Sequence, residues 1–203
     1  MKLEESVDAY IKKFFDFHRR DAPGGIIGCY MVEYALELLG DRADKLNAVV
    51  ETRVCLADCV QVMTGCTLGN KYLWLRDEIG KYALTMYDRG TKSGVRVYLD
   101  LSRIPRDKYP DLWAFHVRQR DKRVLTDPEF RKEQGKLVVE QFMKLKRDCL
   151  SYQRVTVNLP SKEVMLPSRP CIRCGEPFLT EASPEEAVCG PCGGPGSSYY
   201  EKA

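Results

Sequence analysis

Between Glu5 and Phe17 the apolar residues Val7, Tyr10, Ile11, Phe14, Phe15 and Phe17 recur mostly at three- and four-residue steps, the spacing of a helix that buries one face. Pro23-Gly24-Gly25 interrupts the pattern. Ile26 to Leu39 then runs apolar on most sides and ends at Gly40, which predicts a helix central to the core with a glycine stop. Ala48 to Val54 reads as a strand, and Cys55 to Met63 as a short helix ended at Gly65. From Tyr72 to Leu101, Tyr, Trp, Val, Leu and Thr alternate in part, with breaks at Asp77-Glu78 and at residues 89–94. Three strands joined by turns fit this stretch, with Val95, Val97 and Leu99 on one face. Beyond Pro105 and Pro110 a helix is expected from about Asp111 to Arg120. Asp127-Pro128-Glu129 opens another that extends to about Cys149, with Asp127 as N-cap and proline at the first helical position. Residues 151–159 suit a strand, and Pro160, Pro167 and Pro170 mark a linker. The order predicts an α+β fold in which helices pack on a small, mostly antiparallel sheet. A core domain over 1–160 is followed by a small module over 161–203.

Composition narrows the function classes. In 203 residues, 44% are hydrophobic, and 32 Lys and Arg against 29 Asp and Glu leave a formal charge of +3. That balance gives no general case for a nucleic-acid or membrane partner, so any basic patch is local. The first residues, MKLEESVDAYIKK, carry acids and have no uninterrupted apolar stretch, and no run of about 18 apolar residues occurs. A cytoplasmic protein that does not span a membrane is the expectation. Arg118, Arg120, Lys122 and Arg123, with Lys144, Lys146 and Arg147, could make a local basic surface, although Asp121 and Asp148 interleave with them.

Nine cysteines, an odd number, argue for metal binding, reactive thiols or small buried residues and against a disulfide framework. Cys29, Cys55, Cys59, Cys66 and Cys149 are scattered. The other four form Cys171-Ile-Arg-Cys174 and Cys189-Gly-Pro-Cys192, separated by a spacer of 14 residues. Two residues between paired thiolates allow each pair to grip two corners of a tetrahedron, and a hairpin in the spacer would bring the corners together. Zinc suits four thiolates, and its binding free energy would fold a segment whose main apolar residues are Phe178, Leu179 and Val188. Gly175 and Gly190 suit the tight turns. One structural zinc per chain, in a zinc-ribbon or zinc-finger domain, is the expectation. Two local disulfides and an iron–sulfur cluster are the alternatives.

Further motifs stand in series: Phe17-His18-Arg19-Arg20-Asp21-Ala22-Pro23-Gly24-Gly25, Glu51-Thr52-Arg53-Val54-Cys55-Leu56-Ala57-Asp58-Cys59-Val60-Gln61, Thr64-Gly65-Cys66-Thr67-Leu68-Gly69 and Asp77-Glu78-Ile79-Gly80-Lys81-Tyr82-Ala83. Over roughly residues 10–100 this series resembles the FmdE family of formylmethanofuran dehydrogenase operons, some members of which carry a C-terminal four-cysteine module. The resemblance implies an α+β core in an intertwined homodimer. The family takes its name from an operon for a molybdenum or tungsten enzyme whose catalytic subunit is a different protein. Roles proposed for such members are regulation, protein interaction, RNA binding and metal sensing. Where the family motif has a second histidine and a cysteine after His18, this chain has Arg20 and Ala22. His18, Cys55, Asp58 and Cys66 remain as candidates for a second metal or a thiol centre in the core.

Each candidate has a plainer reading. His18 could be a hydrogen-bonded boundary residue, and Cys29, Cys59 and Cys149 packing residues. Trp74 and Trp113 suit core or dimer contacts, and Gly65–Gly69 could alternatively form a backbone nest for an anion. The leading functional expectation is an accessory, dimeric protein whose zinc module contacts a protein or nucleic-acid partner, in regulation or metal sensing. The alternative is a metal- or thiol-dependent enzyme, or a redox accessory protein linked to formylmethanofuran dehydrogenase, using His18, Cys55, Asp58 and Cys66, with the metal as Lewis acid or Cys66 as the nucleophile.

Overall fold

The computed structural model describes residues 3–40, 45–160, 165–194 and 198–200. The chain divides into two compact units, Met1–Ser161 and Lys162–Ala203. The first is the expected α+β core. Helices α1 (Val7–His18) and α2 (Pro23–Leu39) lead to strand β1 (Leu46–Val50), helix α3 (Leu56–Thr64) and strands β2 (Leu73–Leu75), β3 (Ala83–Asp88) and β4 (Ser93–Leu99). Helices α4 (Pro110–His116) and α5 (Pro128–Leu145) precede the last core strand, β5 (Leu150–Thr156). The five strands lie in the order β2-β1-β3-β4-β5; β1 and β2 are parallel and the remaining pairs antiparallel.

The amphipathic α1 is capped by Ser6, whose hydroxyl accepts from the Ala9 amide at 3.3 Å, and it buries Tyr10 and Phe14. The apolar α2 packs against α1, α3 and α5 while covering β3 and β4, so Ile27, Cys29, Met31, Val32, Ala35 and Leu36 are all buried. Each large side chain removed from water there contributes about 1.5–3 kcal/mol. Pro23-Gly24-Gly25 reads in the sequence as a break, yet it forms the first turn of α2, with proline at the helix start. The reason is tertiary: a Cβ on Gly25 would lie 1.9 Å from the Phe14 ring, and one on Gly28 would lie 2.6 Å from Cys59 Sγ. The glycines let three helices approach more closely than side chains would permit.

Other boundaries also moved for local reasons. Strand β1 ends at Val50, four residues before its expected limit, because Glu51 turns to an ion pair. Glu51 is 7% exposed and accepts from Arg96 Nε at 2.6 Å and Nη2 at 2.8 Å. Arg96 also donates to Gln153 Oε1 at 3.3 Å, so one guanidinium ties the exit of β1 to β4 and β5. Helix α4 stops at His116, and Arg118 beyond it adopts a left-handed φ of 59°. Asp127 caps α5 by accepting from the Phe130 amide at 3.0 Å, but α5 gives way at Lys146 (φ 46°) to a 3₁₀ turn over Lys146–Cys149. Strand β3 is buried along its whole length, so its sequence lacks the alternation of a half-exposed strand.

In the second unit, β6 (Ser168–Pro170) pairs antiparallel with β7 (Pro177–Leu179). The hairpin therefore encloses Cys171–Cys174 instead of lying in the spacer between the two cysteine pairs. Residues 161–164, part of the expected linker, lie outside the described residues. Among the described residues no helix is long and apolar enough to cross a membrane.

Two consequences can be measured. Glu51→Ala leaves Arg96 without its carboxylate, and chemical denaturation should show a loss of about 3 kcal/mol; a loss below about 1 kcal/mol would mean that solvent replaces the partner. Asp88, 5% exposed, accepts from the Thr91 amide at 2.7 Å and the Lys45 amide at 3.0 Å, and the Thr91 amide foremost holds its carboxyl below the usual range. A depressed folded-state value contributes stability above about pH 4 that is lost as pH falls through it. Asp88→Asn should therefore flatten the acid limb of the stability curve below about pH 4.

Candidate functional site

Among the described residues, two clusters of chemically active side chains occur, one in each unit. In the second unit, Cys171 follows β6. The Gly175 amide donates back to the Cys171 carbonyl at 2.8 Å, and the Cys171 amide donates to the Glu176 carbonyl at 2.9 Å. These bonds close the first turn, and Gly175 takes the left-handed φ of 77° that the turn requires. Gly190 has no such need: it opens a 3₁₀ turn, Gly190–Cys192, that carries the second pair. The Ile172 amide, donating to the Ala187 carbonyl at 2.9 Å, and Arg173, donating from Nη1 to the Cys192 carbonyl, join the two halves.

The sulfurs of Cys171, Cys174, Cys189 and Cys192 all lie within 4.8 Å of one another, and Cys174 and Cys189 are 3.8 Å apart. That separation is the edge of a tetrahedron with metal–sulfur bonds of about 2.3 Å. It is far from a disulfide bond of about 2.05 Å, and all four cysteines are free. Among the described residues this is the only group of three or more ligating side chains close enough together for one ion. The amide of Cys189, at 3.4 Å, and that of Arg173, at 3.4 Å, donate to Cys171 Sγ. Led by the Cys189 amide, such bonds hold the Cys171 thiol down to about 6. The neighbouring sulfurs of Cys189 and Cys174 push the Cys192 thiol up to about 12. Four crowded thiols cannot all ionise unaided; a divalent cation supplies the charge that lets them.

In the core, the resemblance-derived candidates separate. His18 ends α1, stacked on Phe14 one turn earlier with ring centroids 4.7 Å apart. Its Nδ1 is 2.7 Å from Asp58 Oδ2 in the first turn of α3. Its Nε2 is 3.8 Å from Sγ of Cys55, the N-cap residue of that helix. His18, Asp58 and Cys55 thus form a chain through both ring nitrogens. Cys66 does not join them: it is 2% exposed and donates to the Leu46 carbonyl at 3.5 Å. The loop after Cys66 satisfies its own amides. Asn70 Oδ1 accepts from Thr67 at 2.9 Å, and Asn70 Nδ2 donates to the Gly65 carbonyl at 2.7 Å. Little is left there to receive an anion. Cys29, Cys59 and Cys149 are fully buried, and burial pushes the Cys149 thiol up to about 12.

Three neighbours of the core cluster were not among the expected site residues, although Gly24 and Tyr82 stand in the quoted motifs. A Cβ on Gly24 would stand 3.3 Å from both Cys55 Sγ and the Tyr82 hydroxyl, and that hydroxyl donates to the Gly24 carbonyl. The Tyr82 ring meets His116 edge to face, with centroids 5.3 Å apart. His116 is half-buried, but its Nε2 is sealed from solvent without a partner, and burial pulls its pKa down to about 4. The chain has only two histidines, and that scarcity was the available signal for the second. Of the expected basic surface, Arg147 is spent on Glu33 at 2.9 Å and Glu37 at 2.6 Å, and Arg123 on Asp121 at 2.8 Å. A cleft of about 260 Å³ lies elsewhere, between α4 and α5, lined by residues including Arg106, Trp113, Arg120 and Gln134. Arg106 stacks on Trp113 at 4.6 Å, and His18, Cys55 and Asp58 do not line the cleft.

Comparison with known proteins places this geometry in context. Residues 17–150 match the family described as FmdE, molybdenum formylmethanofuran dehydrogenase operon. A curated relative from Archaeoglobus fulgidus, a "probable S-adenosyl-L-methionine-binding protein", is 30% identical over 199 residues, which cover 91% of this chain and 52% of the relative. The chain therefore spans about half the length of that relative. A crystal structure of a tungsten formylmethanofuran dehydrogenase FmdE-like protein from Syntrophus aciditrophicus superposes with a TM-score of 0.75 at 27% identity, covering 99% of this chain and all of the other.

Proposed function

The chain belongs to the FmdE family, and from that premise we propose that it is a zinc-bearing accessory protein whose C-terminal unit engages a protein or nucleic-acid partner. The observation that carries this reading is the tetrahedral spacing of four sulfurs. A closed set of four protein ligands leaves no coordination position for substrate, so the ion's role is structural and its effect is to order the surface around it. Zinc fits better than a multi-iron cluster, because sulfurs within 4.8 Å of one another surround a single ion. The ion replaces a core: among the described residues of this unit, Ala187 is the one fully buried apolar residue outside the cysteines, while Ile172 and Leu179 are each more than half exposed. Exposed aliphatic side chains beside Arg169 and Arg173, on a scaffold held by metal, suit a macromolecular partner. Regulation or metal sensing, and a homodimeric core, belong to the same proposal. The S-adenosyl-L-methionine named for the Archaeoglobus protein is a property of a chain about twice as long, and the two cysteine-bearing clusters do not call for it.

Elemental analysis of the full chain should find one zinc per protein. Cys174→Ser and Cys192→Ser should each release it and make residues 165–194 protease-sensitive while the core keeps its thermal transition. Zinc retained in both variants would overturn the assignment, whereas a second equivalent surviving in both would place a metal in the core. Affinity capture and electrophoretic shift with and without chelator then test the partner, whose binding should fall at least about tenfold when zinc is removed.

A further inference from the structure

The proposed role of the C-terminal unit leaves the core cluster without a task, and its geometry differs from that of a metal site. His18 presents one nitrogen to a carboxylate and the other to a thiol, so the imidazole bridges two groups and does not converge with them on one point. With Nδ1–H donated to Asp58, the lone pair of Nε2 faces the Cys55 thiol; this is the arrangement in which a carboxylate orients a base and the base serves a nucleophile. Cys55 also occupies the N-cap of α3, and no side chain caps that terminus, where the Ala57 amide donates to the Val54 carbonyl at 3.3 Å. The site is reachable: the side chains of His18 and Asp58 are 21% and 31% exposed. Gly24 keeps the flank of the sulfur open, where any larger residue would crowd Cys55 and Tyr82.

Two cations complete the picture. Arg20, between α1 and α2, and Arg118, beyond α4, are both exposed and close enough for their charges to act on Cys55. Neither takes part in an ion pair among the described residues. Burial is the larger influence on Cys55 and pushes its thiol up, so the resting group is the thiol and a base is needed at the moment of attack. Cys66, the nucleophile named in one form of the alternative reading, has no such base beside it.

We propose that Cys55 is a nucleophile for an activated acyl group on an anionic ester or thioester, with His18 as its base, Asp58 as the positioning residue, and Arg20 and Arg118 as the anion-binding groups. His18 Nε2 takes the thiol proton as Sγ bonds to the acyl carbon. The same nitrogen returns the proton to the departing alcohol or thiol as its bond to that carbon breaks, leaving S-acyl-Cys55. Water, giving a proton to Nε2, then cleaves the thioester, releases the carboxylic acid and restores the thiol. The net change is hydrolysis, with water as the only co-reactant.

The test uses the full chain with two probes, 4-nitrophenyl acetate and the 4-nitrophenyl monoester of glutaric acid, which carries a free carboxylate. A burst of one nitrophenolate per chain is expected, with the acyl mass on the peptide containing Cys55 and absent from Cys55→Ala. His18→Ala should slow acylation about a hundredfold, and added imidazole should restore part of the rate. Asp58→Glu should retain more activity than Asp58→Asn, a difference that a purely structural role would not produce. The carboxylate ester should react several-fold faster than the acetate, and Arg20→Gln with Arg118→Gln should erase that preference. Acyl mass on other cysteines but not Cys55, equal rates in His18→Ala and the unaltered protein, or equal rates for the two esters would overturn the proposal. Peptide mapping of the unaltered protein decides the first point even if a variant fails to fold. None of these readouts depends on the zinc assignment.

Discussion

The close approach of α1, α2 and α3 is the contact on which the core and its side-chain cluster depend. It exists because α2 presents glycine where its neighbours press closest: Gly25 beneath Phe14, and Gly28 against Cys59. Phe14, fully buried, in turn supports the ring of His18 one turn later. The end of α1 is thereby held against the start of α3, where Cys55 and Asp58 stand 37 and 40 residues further along the chain. Close-packed interiors tolerate little change in volume, so a methyl group at Gly25 would disturb Phe14 and the His18 ring stacked on it as well as costing stability.

The two units solve the problem of holding cysteine in different ways. In the core, large apolar side chains surround Cys29, Cys59 and Cys149, and burial makes thiolates costly there. In the C-terminal unit, amide hydrogen bonds to sulfur and close sulfur–sulfur spacing favour ionisation only together with a cation. The first environment preserves neutral thiols, and the spacing of the second suits a metal. Cys55 belongs to neither class, being half-buried at a helix start beside an imidazole.

Much of this was legible along the chain. Helical periodicity located α1, a continuous apolar run with a glycine stop located α2, a glycine end marked α3, and Asp127-Pro128 marked the start of α5 through the chemistry of its cap. The paired cysteines announced their cluster because all four lie within 22 residues, where spacing alone limits geometry. The family resemblance brought out His18, Cys55 and Asp58, but it added Cys66, which the fold directs to the Leu46 carbonyl.

What the sequence determined by itself was therefore local: periodicity, caps, turns and a ligand set confined to one short segment. Tertiary structure alone decided that Pro23-Gly24-Gly25 begins a helix, that Glu51 leaves β1 for Arg96, and that the hairpin wraps the first cysteine pair. It also decided which cysteine meets the histidine. The physical reason is common to all four: each outcome is set by contact with residues distant in sequence or by closure of a turn, and short-range pattern carries no measure of either.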